Sequence, residues 1–142
     1  MAEGDITFYN NVKEQLMKKQ LDFVLDTLRI TLHTGYTPNI DTHAVWADVS
    51  ATEYATAGGY TVDGQALATK TVTQDDTDNE GVFDADNVTW TSLTLSPTTP
   101  SHAIIRDSTT DMLICYIVLG TTATNGGNYT VAFNAEGIIN IN

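Results

Sequence analysis

Three histidines, one cysteine and a run of closely spaced carboxylates are the side chains of this 142-residue chain best suited to chemistry. A serine or cysteine hydrolase needs a nucleophile whose proton passes to a histidine that a third group orients. His33, His43 and His102 read as scattered surface or packing residues, and no Gly-x-Ser-x-Gly elbow is present. Cys115 lies in the apolar run Met112 to Leu119, where burial raises a thiol's pKa and suppresses the reactive thiolate. His33 and His43 are ten positions apart with no second cysteine to complete a zinc set. No enzyme is expected. One would have to work through His43 and Asp41.

The most regular acidic motif is Asp76-Thr-Asp-Asn-Glu-Gly81, with carboxylates at the first, third and fifth positions and glycine at the sixth, as in an EF-hand calcium loop. Asn87 stands where the bidentate glutamate belongs, and the flanks have strand character where helices are required. A solvated hairpin loop is the favoured reading. Asp76, Asp78 and Glu80 are kept as the candidate calcium ligands. No cofactor is expected, because Gly58-Gly59 and Gly126-Gly127 fit no phosphate-binding pattern and read as turns.

Composition limits the partners. Eighteen acidic residues against six basic give a formal charge of -12, a field that repels phosphate backbones and anionic membranes. Neither nucleic acid nor a membrane is expected. The N-terminus has no apolar signal region, and the longest hydrophobic run is too short to span a bilayer. A single cysteine excludes an internal disulfide and suits synthesis in a reducing cytosol. The positive charge is concentrated early, with Lys13, Lys18, Lys19 and Arg29 in the first 29 residues.

The elements that carry these groups are mostly strands. Phe8, Val12 and Leu16 recur every fourth residue, which predicts one amphipathic helix from Asp5 to Gln20, capped by Asp5 or Thr7. From Leu28 the period becomes two: Leu28, Ile30 and Leu32 alternate with Arg29, Thr31 and His33 in a half-buried strand ended by Thr34-Gly-Tyr-Thr-Pro38. A long connection follows, with a helical turn near Thr42 to Trp46. Further strands are predicted at Tyr60 to Val62, Leu67 to Gln74, Val82 to Trp90 with a bulge near Asp86-Asn87, His102 to Arg106, Leu113 to Leu119, Tyr129 to Phe133 and Ile138 to Ile141. The expected fold is a mainly β single domain, an antiparallel sandwich, jelly roll or small barrel over residues 21–142, with residues 1–20 as an N-terminal helical arm. Phe8, Val12, Leu16, Lys18 and Lys19 on that arm form the candidate interface. The aromatics Trp46, Tyr60, Phe83, Trp90, Tyr129 and Phe133 are expected in the core or a subunit interface.

The segments Thr34-Gly-Tyr-Thr-Pro-Asn-Ile-Asp-Thr-His43, Trp46-Ala-Asp-Val-Ser50, Gly59-Tyr-Thr61, Lys70-Thr-Val-Thr73 and Phe83-Asp-Ala-Asp-Asn-Val-Thr-Trp90 resemble a family of small structural proteins encoded in the morphogenesis modules of tailed bacteriophages. The resemblance runs from about Phe8 to the C-terminus. It implies a virion protein assembled in the host cytoplasm, most simply a capsid decoration protein that binds the major capsid protein, often as a homotrimer. A tail, neck or head-fibre component is the alternative within virions. A host-surface glycan-binding module, stacking sugar on Trp46 or Trp90, is the alternative outside that class.

Overall fold

The computed structural model describes residues 4–142. It is mainly β, with three antiparallel sheets and one α-helix. The strands are β1 (Ile6–Phe8), β2 (Leu28–His33), β3 (Gln65–Ala66), β4 (Thr71–Asp75), β5 (Glu80–Asp84), β6 (Val88–Trp90), β7 (His102–Asp107), β8 (Met112–Val118), β9 (Tyr129–Val131) and β10 (Ile139–Ile141). The helix α1 is Asn11–Met17. A five-stranded sheet has the order β1-β8-β7-β2-β3, a three-stranded sheet the order β10-β5-β4, and β6 pairs with β9. All three are open, so the architecture is sandwich-like and not a closed barrel.

The alternation in β2 sends Leu28, Ile30 and Leu32 into the main core, beside Ala103 and Ile105 of β7 and Cys115 and Ile117 of β8. Trp90, Tyr129, Val131, Phe83 and Ile139 reach the same core from the smaller sheets. A register shift at Ile105/Arg106 inserts Ile114 into β8 as an extra residue. Leu113 and Tyr116 can therefore share a face although they are three positions apart. That face carries a second, smaller core of Tyr9, Tyr36, Val49, Ile104 and Leu113. The central sheet is thus covered on both sides.

Several expectations change. The predicted helix over 5–20 shrinks to Asn11–Met17, because Ile6 and Phe8 alternate as a strand and pair with Ile117 and Cys115 of β8. Asn10, not Asp5 or Thr7, occupies the cap position, and it makes no side-chain cap bond. Over residues 4–20 of the predicted arm, β1 is an edge of the main sheet and Tyr9 and Val12 are buried, so this stretch packs into the β domain; residues 1–3 lie outside the described residues. Asn11 adds a tie, donating from Nδ2 to the Ala44 and Leu113 carbonyls. The predicted strand over 82–90 is two strands in different sheets, β5 against β10 and β6 against β9. The parity change at Asp86-Asn87 marks the chain crossing between sheets, so no bulge is needed there. Residues 60–62 form no strand; Tyr60 closes a tight turn with Ala57. The long connection contains two 3-10 turns, at Trp46–Asp48 and Ser50–Thr52.

Candidate functional site

The polar parity of β2 brings the chain's three histidines to one place. Arg29, Thr31 and His33 alternate with the core leucines and isoleucine, so they face the second core, where the connection after β2 folds back over them. Tyr36 lies in the middle. Its ring meets His102 edge-on at 5.2 Å, Tyr116 at 6.3 Å, His43 at 5.6 Å and His33 at 5.9 Å. The histidines are therefore not scattered. The β2–β7 pairing sets His33 directly opposite His102, and the return of the 34–60 segment adds His43 through Tyr36.

Hydrogen bonds link this cluster. The buried Tyr9 hydroxyl lies 2.6 Å from Tyr36 Oη, which in turn lies 3.0 Å from His43 Nδ1. Burial raises both phenols above their ordinary range, and the bond to Tyr36 raises Tyr9 further. His33 is fully buried between two threonine hydroxyls, with Nε2 at 2.8 Å from Thr31 Oγ1 and Nδ1 at 2.9 Å from Thr52 Oγ1. Each threonine also has a backbone carbonyl within reach, Ile104 at 3.3 Å and Val49 at 3.0 Å. A hydroxyl has one proton, and a neutral imidazole has one donor and one acceptor. The longer threonine–carbonyl bond is the one to yield. Thr31 thus donates to Nε2, and His33 carries its proton on Nδ1, directed at Thr52.

Burial, with a smaller contribution from His102, pushes the His33 pKa down from 6.5 to about 3. The unfolded chain therefore takes up this proton well before the folded one does. His33's contribution to stability is complete above pH 6.5 and is lost as pH falls from 6.5 toward 3, reaching about 2 kcal/mol by pH 5. Comparing urea midpoints of the wild type and His33→Gln at pH 7.5 and pH 5 isolates this effect, because the carboxylates titrate in both. The wild type should lose about 2 kcal/mol more than the variant; parallel losses would contradict a buried neutral His33.

Arg106 closes the other end of the cluster. Its guanidinium lies 4.4 Å over the Trp46 ring, donates from Nη1 to Asp111 at 2.6 Å and pairs through Nη2 with Asp63. Arg29, directly opposite Arg106 across β2 and β7, pairs with the other Asp63 oxygen at 3.2 Å and donates to the Asp63 and Gly64 carbonyls. One carboxylate thus separates two cross-strand arginines that would otherwise repel.

This arrangement holds loops to a sheet. Among the described residues no carboxylate hydrogen-bonds to a histidine, so none of the three is oriented as a general base. Asp41 accepts from Asn10, away from His43. Cys115 is fully buried and its thiol is pushed up by burial. Trp90 is buried in the main core, and Trp46, half-buried, packs against the second core with the Arg106 guanidinium over its ring. Tyr60, Phe83, Tyr129 and Phe133 are core residues.

The acidic motif is the tip of the β4–β5 hairpin. The carboxylates that converge are Asp75, Asp78 and Glu80, with ligand oxygens within 4.8 Å of one another. Asp76, in the predicted set, is replaced by Asp75 because Asp76 bonds to Gln74, while Asp75 Oδ1 accepts the Thr77 and Asp78 N–H groups. Glu80 also accepts from Asn140. Calcium takes six to eight oxygens, so backbone carbonyls and waters would have to complete a set begun by these three side chains.

The candidate interface residues divide. Val12 is buried in the main core, and Phe8 and Leu16 pack against it, so this stripe is largely used by the chain's own fold. Lys18 and Lys19 are exposed, with Lys18 paired to Glu14 one helical turn back. The most exposed large apolar side chains among the described residues escaped the sequence reading: Met17 at 82% and Leu25 at 83%. The signal was present in Phe23-Val-Leu25, an apolar triplet between Asp22 and Asp26. No helix among the described residues is long and apolar enough to cross a membrane. Compared with known proteins, the chain matches no family model, no curated sequence and no solved structure.

Proposed function

We propose that this chain is a structural protein of a tailed-phage virion, a decoration protein that binds the outer surface of the head and clamps neighbouring copies of the major capsid protein. The observation that carries the reading is the segment from the end of α1 through the turn at residues 22–26. Along it Met17 and Leu25, the two most exposed large apolar side chains among the described residues, stand at either end of a sequence that also exposes Lys18, Lys19 and Val24. Burying a side chain of the Leu or Met class is worth roughly 1.5–3 kcal/mol, which a partner surface would recover. The turn is also braced. The Val24 and Leu25 N–H groups donate to Asp22 Oδ1, and the Asp22 N–H donates to Asp26 Oδ2. A preorganised anchor loses little entropy on docking.

Charge distribution supports the same orientation, since a net charge of -12 with two lysines on this segment favours docking by the segment and leaves the anionic body toward water. The resemblance in the Thr-Gly-Tyr-Thr-Pro and Asp-Asn-Val-Thr-Trp segments points to the same class. In this reading the copies act as homotrimers on a repeating lattice, where multivalency lets each contact be modest.

The test is addition of purified protein to capsids assembled without it, followed by copy number per particle. Saturation at hundreds of copies is the expected result. About a dozen copies would move the protein to the neck, as expected for a single ring of subunits. Binding to host cells with none to particles would overturn the virion reading. Leu25→Asp should reduce capsid affinity at least about tenfold while leaving the unfolding temperature unchanged, because Leu25 has no core contact to lose.

A further inference from the structure

Between the end of β2 and the main core the chain makes a loop, residues 34–53, that is closed at a neck. His33 ends β2 on one side of it, and Tyr54 belongs to the main core on the other. At the neck the Thr34 N–H donates to the Thr52 carbonyl at 3.0 Å, and the Tyr54 N–H to the Leu32 carbonyl at 3.1 Å. Farther out, the Trp46 N–H donates to the Asp111 carbonyl and the Leu113 N–H to the Ala44 carbonyl. Yet only two side chains of the loop, Tyr36 and Val49, are buried. A segment with so little buried surface opens at lower cost than the strands beneath it.

His33 pins the neck, because its ring joins Thr31 of β2 to Thr52 of the loop. A proton added to that ring in the closed state enters at Nε2, the acceptor nitrogen, and meets no carboxylate partner. On β7, His102 stands directly opposite, and Arg106 lies over Trp46, whose ring is 5.8 Å from that of His33. The other titratable neighbours on this face are phenols, Tyr36 from the loop, Tyr9 and Tyr116. His43 joins them through Tyr36. The nearby carboxylates are engaged elsewhere: Asp48 accepts the Ala44 and Val45 N–H groups, Glu53 accepts the Tyr60 hydroxyl and the Asp63 N–H, and Asp63 and Asp111 hold Arg106.

We propose that loop 34–53 is an acid-released cover: protonation of His33 detaches the neck and lifts the loop from the sheet while the five strands stay paired, uncovering the face of Tyr9, Ile104, Leu113 and Tyr116. The open form takes up the proton first. With the buried ring titrating at about 3 and the freed ring at 6.5, opening becomes about thirtyfold more favourable between pH 7.5 and pH 5. His102, also lowered by burial, acts in the same direction. Glu53 acts in the opposite one, since burial raises it and its release favours closure as pH falls. The inference is independent of the virion reading.

Amide hydrogen exchange of the full-length chain at pH 7.5, 6.5 and 5, corrected for the intrinsic pH dependence of exchange, provides the test. The Thr34, Trp46 and Leu113 amides should exchange through an opening that Ile105 and Cys115, paired across β7 and β8, do not share. That opening should become about thirtyfold more frequent at pH 5 in the wild type and stay nearly constant in His33→Gln. Between pH 6.5 and 5 the side chains that titrate are chiefly histidines, so the wild-type slope over that interval identifies the sensor even where the variant fails to fold. Exchange of loop and strand amides through one common opening overturns the inference. So does a loop opening unaffected by pH, or an equal rise in His33→Gln.

Discussion

Replacing Gly64 with alanine should lower the unfolding temperature by about 10 °C or more, or prevent folding. Gly64 has a φ of +61°, and a Cβ there would lie 1.9 Å from the Ile30 carbonyl oxygen. That oxygen belongs to β2, whose neighbours in the main core leave it nowhere to move. The left-handed conformation alone costs a residue with a side chain roughly 1–2 kcal/mol. The backbone collision adds to this by forcing the 63–66 segment off the sheet. With that segment go the Arg29 bonds to the Asp63 and Gly64 carbonyls and the β2–β3 pairing. Gly35→Ala is the control. Gly35 has a similar φ, +64°, with nothing within 4 Å of the added Cβ, so it should show the conformational cost alone, about 1 kcal/mol. Equal losses at the two positions would contradict the close approach at Gly64.

The second large effect is expected at Arg106. Its side chain is 6% exposed, whereas Asp63 and Asp111 are 45% and 67% exposed. Arg106→Ala therefore leaves no buried carboxylate stranded, and the ion pairs account for only part of the loss. The greater part is packing and cation–π contact, because the guanidinium fills the space beneath Trp46. Together these give about 3 kcal/mol. Arg106→Lys should recover less than half of that, since an ammonium cannot lie flat on the indole while bonding two carboxylates in fork geometry. Urea denaturation measures both variants, and Trp46 fluorescence reports whether the ring loosens. A lysine variant as stable as the wild type would show that charge alone matters here.

How far the sequence reveals this structure depends on the range of the interaction. The alternation from Leu28 to His33 gave β2 its core face, and the runs at 102–106 and 113–119 located β7 and β8 to within a residue or two, because these segments are strongly periodic. Phe8 misled for a reason visible in hindsight. Phe8, Val12 and Leu16 satisfy a helical spacing, yet Ile6 and Phe8 also satisfy a strand spacing, and the exposed edge of β8 decided between them. The Tyr9–Tyr36–His43 chain lay beyond local pattern, since Tyr9 meets the other two only when residues 34–60 fold over the sheet. Even so, the polar side of β2 held a hint. Arg29, Thr31 and His33 share one parity, and His33 has two hydroxyl partners inside.

The order β1-β8-β7-β2-β3 also governs when the chain can fold. Ile6 pairs with Ile117 and Ile30 with Ile105, so β1 finds its one neighbour, and β2 the longer of its two, only after most of the chain exists, although the short β3 is available to β2 earlier. Loop closure of that span precedes any gain from the contacts it permits, which slows folding relative to a sheet of successive hairpins. The β7–β8 hairpin is the one local piece of the five-stranded sheet and the natural place for it to begin. Until that hairpin forms, Leu28, Ile30 and Leu32 are apolar strand residues without a sheet, and the chain's large negative charge is what keeps nascent copies from pairing through them.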